Sequence, residues 1–156
     1  MMINADNKAS SKFLYLFNFL VSLVSAGVLS ERDCKEYPIG GPHPTKIPDS
    51  RFADVGDTVE FQCEADFGCG DSSTRYVGWM GDVTIEGYGV QPIGDLTEDP
   101  RYKITEYSRN GRSVLGATLT IKDLKPSDFN KNLHCFMASA QIDYPTKQYT
   151  VKVLRR

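Results

Sequence analysis

The sequence is poor in the residues on which most catalytic and nucleic-acid-binding sites depend. It has only two histidines, His43 and His134, and one tryptophan among 156 residues. Its formal net charge is −2, and its acidic and basic residues are interspersed without a basic stripe. The electrostatic attraction that drives nucleic-acid binding is therefore missing, and we expect no nucleic-acid partner.

Residue pairs at the spacing of a metal site or of a nucleophile and its base are missing as well. Cys63 and Cys69, the closest two cysteines, are six residues apart, whereas zinc knuckles place cysteines about two to four residues apart. His43 lies in a proline-rich segment, and His134 adjoins Cys135, which we expect to be oxidised and therefore unable to act as a nucleophile. We predict no catalytic residue, no metal site and no cofactor.

No apolar run reaches the roughly 20 residues that a membrane-spanning helix requires. The most apolar stretch, 13–24, follows two lysines, is interrupted by Asn18 and Ser22, and ends in small residues at 24–26. A basic start, an apolar stretch and a small-residue exit are typical of a secretory signal peptide, and a membrane anchor is the alternative. We predict a signal peptide over residues 1–26, a secreted extracellular product and no membrane span.

Two cysteines and the tryptophan form the most informative pattern. Cys63 and Cys135 each lie in an alternating, strand-like segment, and Trp79 lies 16 residues after the first. An immunoglobulin-type sandwich uses this residue set to join its two sheets. We predict an all-β fold: a single immunoglobulin-like β-sandwich with Greek-key connections and two disulfides. It would cover residues 53–154, after a Pro/Gly-rich arm at 27–52.

Alternation of apolar and polar residues predicts the strands. They are expected near 59–65, 75–80, 102–107, 115–121, 133–137 and 148–154. A turn at Gly81–Asp82 would precede a short strand at 83–86, and we expect residues 87–100 to be irregular. Asn110–Gly111 predicts a hairpin turn, and residues 125–128 predict a short helical turn. The expected core includes Trp79, Leu119 and Leu133.

The four cysteines are compatible with an oxidising compartment. Of the three possible connectivities, we favour Cys63–Cys135 across the sandwich and Cys34–Cys69 between the arm and a loop. Chain entropy would make each worth about 4 kcal/mol.

The predicted strands 115–121 and 133–137 correspond to strands E and F of an immunoglobulin domain, and strand F departs from the commonest pattern. Leu133 stands two residues before Cys135, where a tyrosine is usual, and Asp128 stands seven residues before it. Without that tyrosine hydroxyl, we expect the corner between strands E and F to be held by packing alone.

These features resemble a known family. The segment 128–136 is similar to the third immunoglobulin domain of interleukin-1 receptor family members, and 94–101 followed by 106–110 resembles the decoy (type 2) receptor of that family. The single-domain interleukin-18-binding proteins share the plan of signal peptide, cysteine-bearing arm and one domain. The resemblance covers roughly residues 53–154. It implies a secreted, decoy-receptor-like protein that sequesters an interleukin-1-family cytokine, of the interleukin-18 or interleukin-1 type.

The sheet face turned away from Trp79 is the predicted ligand site. Aromatic residues and methionine are enriched in the buried centres of protein interfaces. The predicted ligand-binding residues are Tyr76, Met80, Ile85, Tyr88 and Phe136. Alternatively, Met80 and Phe136 cover the arm or pack against residues 87–100. Two other functions stay open, an adhesion or innate-recognition module and a short isoform of a larger receptor. We expect a monomer.

Overall fold

Strands form wherever β-branched and aromatic residues alternate with polar ones. The computed structural model describes residues 41–68, 74–140 and 146–156, apart from the side chain of Arg112. The described strands are β1 His43–Lys46, β2 Arg51–Ala53, β3 Val59–Asp66, β4 Arg75–Ile85, β5 Gly89–Gly94, β6 Tyr102–Arg109, β7 Val114–Ile121, β8 Leu133–Ser139, β9 Lys147–Val151 and β10 Val153–Arg155.

These strands form two four-stranded sheets and one small ribbon. The first sheet has the order β1-β3-β7-β6 and the second the order β5-β4-β8-β9, while β2 and β10 pair in parallel. Every other pairing between two of these strands is antiparallel. At the centre of each sheet, β3 pairs with β7 and β4 pairs with β8, and these partners are far apart in the chain, as Greek-key connections require. The predicted immunoglobulin-like sandwich is confirmed.

The core lies between the two sheets, around the disulfide Cys63–Cys135, whose Cα atoms are 6.4 Å apart. Trp79 is buried beside it, and its indole N–H donates to the carbonyl of Ala117 at 3.1 Å. The other two residues expected in the core are also buried, Leu119 and Leu133. Cys34 and Cys69 lie outside the described residues, so their pairing stays a prediction.

Two strands lie within the segment that we predicted as an arm. β1 pairs with β3 of the first sheet, and β2 pairs with β10, which follows β9 of the second sheet. The chain therefore passes from the first sheet to the β2–β10 ribbon over 47–50, where Pro48 is buried. The predicted signal peptide lies outside the described residues.

The predicted turn at Gly81–Asp82 is wrong, because β4 runs through it without a break. Gly81 pairs with Leu133 on one side and with Gly94 on the other, and the side chain of Leu96 occupies the space that a Cβ of Gly81 would need. The turn comes later, where the N–H of residue 88 donates to the carbonyl of residue 85 at 3.0 Å.

The expectation of irregular structure over 87–100 is also wrong. This segment contains β5 and a 3₁₀ turn, Leu96–Glu98. Its glycines and Pro92 concealed the strand in the sequence. β5 is an edge strand with a register shift at Pro92, and an edge is where a strand tolerates a residue without an N–H donor.

The other two predicted turns are confirmed. Asn110 and Gly111 have φ angles of 51° and 62° in the β6–β7 hairpin, and Pro126–Asp128 forms a 3₁₀ turn.

The corner that precedes β8 is not held by packing alone, so that expectation is wrong. Asp128 is buried, forms an ion pair with Arg101, and accepts hydrogen bonds from the Tyr102 hydroxyl and the backbone N–H of Lys125, both at 2.8 Å. A tyrosine hydroxyl thus does hold the corner, but it comes from β6. Asp99 forms a second ion pair with Arg101 at 2.6 Å.

Burial alone would raise the pKa of Asp128. The hydrogen bonds from Arg101, Lys125 and Tyr102 outweigh burial and hold that pKa below its ordinary value.

A second buried carboxylate spans the outer side of the first sheet. Glu64 is 1% exposed, accepts hydrogen bonds from the hydroxyls of Thr45 (2.7 Å) and Tyr107 (2.9 Å), and forms an ion pair with Arg109. Gly116 lies between Glu64 and Tyr107 in register, and a Cβ there would overlap the Tyr107 ring. The glycine is what allows the phenol to reach across β7 and tie β1, β3 and β6 together.

Candidate functional site

The side of the second sheet that faces away from Trp79 is the candidate site, and we call it the outer face. Because side chains alternate along a strand, β4 contributes Tyr76 and Met80 to it, and β8 contributes His134 and Phe136. Met80 is paired with His134, and Phe136 with Gly78. The structure therefore brings three of the predicted ligand-binding residues onto neighbouring positions of one face: Tyr76, Met80 and Phe136.

Tyr76 lies along the outer face and covers Gly78. A Cβ on Gly78 would overlap the Tyr76 phenol, so this glycine allows the ring to lie flat on the sheet. Tyr76 remains 39% exposed. Burial, and then the negative charges of Glu106 and Asp95, raise its pKa. Its hydroxyl is thus kept protonated, and it can donate a hydrogen bond to a ligand.

His134 is fixed in a polar cluster at the centre of the outer face and is only 5% exposed. Its Nε2 lies 2.6 Å from a carboxylate oxygen of Asp82, and its Nδ1 lies 2.9 Å from the Thr150 hydroxyl and 3.0 Å from the Gln148 amide nitrogen. Asn132 donates to the second oxygen of Asp82 at 2.7 Å. The cluster joins β4, β8 and β9 and leaves the imidazole no free nitrogen for a ligand.

Burial would raise the pKa of Asp82, but the hydrogen bonds from His134 and Asn132 lower it on balance. The carboxylate therefore stays ionised, and its charge is held within the cluster.

The remaining two predicted ligand-binding residues do not share the outer face. Ile85 follows the alternation of Val77 and Trp79 along β4, which places it on the opposite side of the β4–β5 hairpin. Tyr88 lies in the hairpin turn and is 78% exposed. Both belong to the hairpin rather than to the patch around Met80.

Two further exposed residues extend the site and were missed from the sequence. Val90 is paired with Thr84, whose position in β4 alternates with the core, so Val90 lies on the outer face. Val90 and Ile93, which lies at the register shift, are each 59% exposed. Recognising Gly87–Gly89 as a hairpin turn would have revealed them, because β5 then follows directly.

Within residues 41–68, 74–140 and 146–156, no three histidine, cysteine, aspartate or glutamate side chains lie close enough to hold a metal ion. The same part of the chain contains no helix with the length and apolarity needed to cross a membrane.

Comparison with known proteins agrees with the fold and does not identify a family. No protein-family model matches the chain, and no curated protein matches it. The eight N-terminal immunoglobulin domains of the Down syndrome cell adhesion molecule are similar in structure, with a TM-score of 0.52 and 14% sequence identity. That similarity covers 74% of this chain and 14% of the other.

The N-terminal Ig1–2 module of the Drosophila receptor protein tyrosine phosphatase DLAR gives a TM-score of 0.50 at 13% identity, covering 74% of this chain and 50% of the other. This chain thus spans half or less of either protein. One chain of the complex between the first immunoglobulin domains of Dpr1 and DIP-eta gives a TM-score of 0.48 at 19% identity, covering 77% of this chain and all of that chain. At 13–14% identity, the likeness to the cell adhesion molecule and to DLAR shows an immunoglobulin-like fold, which is typical of adhesion and receptor modules. It does not extend to the interleukin-1 receptor relationship.

Proposed function

We propose that this chain is an extracellular protein-binding module that binds its ligand through the outer face. The observation that carries this proposal is the set of half-exposed and exposed apolar side chains on that face, Tyr76, Met80, Phe136, Val90 and Ile93. Aromatic residues and methionine supply most of the binding energy at protein interfaces, and scattered surface residues do not usually gather on one sheet face. The disulfide behind the face limits its rearrangement on binding, and this lowers the entropic cost of association.

For the ligand, we infer an interleukin-1-family cytokine that a secreted form of this chain would sequester. The resemblance of 128–136 and 94–101 to interleukin-1 receptor family domains supports this choice. Asp99, Arg101 and Asp128 in those segments hold the corner before β8. These three residues therefore support a scaffold similar to that of the family. The choice of a cytokine as the ligand depends on the sequence resemblance alone. The alternative is an adhesion or innate-recognition module with a cell-surface ligand.

The test is surface binding of the protein, expressed from residue 27, to a panel of interleukin-1-family cytokines that includes interleukin-18 and interleukin-1β. We expect one member to bind. Binding to intact cells or glycans without any cytokine would support the adhesion alternative instead. No binding to any of these probes would contradict the proposed function.

The outer face is tested with the double variant Tyr76→Ala/Phe136→Ala. Removing two aromatic anchors should weaken binding by about 100-fold or more, while the midpoint of thermal unfolding changes little. The matched control is Ile47→Ala/Phe52→Ala, two side chains that are 54% and 63% exposed and lie outside the second sheet. Equal affinities for the two double variants would place the ligand elsewhere on the domain.

A further inference from the structure

The β4–β5 hairpin presents an apolar surface with acidic neighbours. Tyr88, Val90 and Ile93 are 78%, 59% and 59% exposed. Glu86 lies at the turn, and Asp95 follows β5 directly. Between Arg75 and Arg101 the sequence contains five acidic residues and no basic one. We use the name hairpin surface for the three exposed apolar residues and the two acidic residues beside them, 86, 88, 90, 93 and 95.

A second exposed surface has the opposite charge. Phe52 on β2 is 63% exposed and pairs with Leu154 on β10. Arg51 and Arg155 are exposed on the same two strands, and Lys152 directly precedes β10. Residues 146–156 contain four basic residues and no acidic one. We call 51, 52, 152, 154 and 155 the basic edge.

The cations of the basic edge are not neutralised locally. Arg156, which follows the basic edge in the chain and does not belong to it, forms ion pairs with Asp54 (3.4 Å) and Asp57 (3.8 Å). No ion pair to Arg51, Lys152 or Arg155 occurs among the residues that the structure describes. Arg51 and Arg155 are therefore free to face a partner, whereas the charge of Lys152 also acts on Asp82, whose pKa it lowers.

The two surfaces lie at opposite ends of the strand order. β5 forms one edge of the second sheet, and β9, which leads into β10, forms the other. A single copy cannot bring them together. Two copies in the same orientation can, and the contact then joins the apolar residues of the hairpin to Phe52 and Leu154, and acidic neighbours to Arg51 and Arg155.

We propose that copies of this chain associate head to tail, with the hairpin surface of one copy docked on the basic edge of the next. Such a contact is heterologous, so each dimer keeps one free surface of each kind and can add further copies. A symmetric contact between two hairpins is disfavoured, because it would bring Glu86 and Asp95 of both copies together. Strand addition at β5 is disfavoured too, because Pro92 and the register shift interrupt its edge. The contact is therefore made by side chains.

The contact shares Val90 and Ile93 with the proposed ligand site, whereas Tyr76, Met80 and Phe136 take no part in it. It replaces the monomer expected from the sequence by a reversible oligomer. Because opposite charges attract across the contact, association should weaken as ionic strength rises.

The experiment is sedimentation velocity of the protein, expressed from residue 27, at concentrations up to about 0.5 mM, where interactions of millimolar affinity become visible. The hairpin variant is Glu86→Lys/Tyr88→Ser, and the edge variant is Phe52→Ser/Arg155→Glu. The control is Val55→Ser/Lys103→Glu, an exposed valine and an exposed lysine outside both surfaces. Circular dichroism and the thermal midpoint confirm that each variant is folded.

We expect the wild type and the control to associate in a concentration-dependent manner, and each of the other two variants alone to associate at least about tenfold more weakly. An equimolar mixture of the hairpin and edge variants should form a one-to-one dimer and nothing larger. Each partner in that mixture supplies the surface that the other lacks. A symmetric contact cannot give this result.

Three outcomes would overturn the proposal. The wild type could remain monomeric over the whole concentration range, in which case the two surfaces serve other partners. Either variant alone could associate as the wild type does, or the mixture could fail to recover the dimer. Cytokine binding by Tyr76 and Phe136 is measured separately, so these outcomes leave that function unaffected.

Discussion

Removing the carboxylate of Asp128 should destabilise the domain more than any other exchange of a single charged side chain described above. Its side chain has no exposure, and its oxygens accept from Arg101, the Tyr102 hydroxyl and the Lys125 N–H. Asp128→Ala leaves the Tyr102 hydroxyl and the Lys125 N–H without a partner, and it removes one of the two carboxylates that pair with Arg101. Each buried donor left unsatisfied costs about 1–3 kcal/mol of unfolding free energy, so we expect a loss of about 3 kcal/mol for the two donors together. Tyr102→Phe removes one hydroxyl and should cost only about 1 kcal/mol.

The stability difference between the wild type and Asp128→Ala should depend on pH in a definite direction. The folded-state pKa of Asp128 lies below its ordinary value. A carboxyl of this kind stabilises the fold above its unfolded pKa of about 3.9, and this contribution is lost as the pH falls through the folded value. The stability difference between the wild type and Asp128→Ala should therefore be constant from about pH 7 to pH 5 and should shrink below about pH 4.

The assay is urea denaturation followed by the fluorescence of Trp79, the only tryptophan. The control is Asp49→Ala, an exposed carboxylate, which should change the unfolding free energy by less than about 0.5 kcal/mol. If Asp128→Ala and Asp49→Ala proved equally stable at pH 7, or if the difference did not depend on pH, the ion pair would not hold the corner.

Three further predictions concern the first sheet and the disulfide. Gly116→Ala should cost about 1–3 kcal/mol, because its Cβ displaces the Tyr107 ring from Glu64; in a Tyr107→Ala background the same substitution should cost little, as a double-mutant cycle by urea denaturation would show. Burial and the hydrogen bond to Glu64 raise the pKa of Tyr107 to about 12, so stability should fall between about pH 10 and pH 12, and Tyr107→Phe should remove this fall from the alkaline denaturation curve. Replacing Cys63 and Cys135 by alanine should cost about 4 kcal/mol, given their separation of 72 residues, and an unchanged denaturation midpoint would contradict this.

Much of the fold could be predicted because its decisive signals are local. Alternation identified β3, β7 and β8, and an Asn–Gly pair identified the hairpin before β7. The errors concern contacts between residues distant in sequence. Gly81 lies within β4 rather than in a turn. The space that its missing side chain leaves is filled by Leu96, which comes 15 residues later in the chain. The corner before β8 is held by Arg101 and Tyr102, which lie 27 and 26 residues before Asp128 and were therefore not recognised as its partners.

The candidate site was predictable to the same extent. Tyr76, Met80 and Phe136 follow from alternation around Trp79 and Cys135, and the structure places them on one face. Ile85 was assigned to that face by proximity in sequence, whereas its parity along an unbroken β4 excludes it. Val90 required knowledge of β5, which glycine and proline concealed.

The length of β4 has a mechanical consequence. This single strand of 11 residues runs from the core, where Trp79 is paired with Cys135, out to the exposed hairpin. Ile85 at its tip lies about 20 Å along the strand from Trp79. A pull on the hairpin by a bound partner therefore acts lengthwise on β4, against all of its hydrogen bonds to β8 at once. The cross-linked β8 anchors that load to the opposite sheet, so the domain should withstand tension applied at the hairpin better than tension that peels β5 sideways.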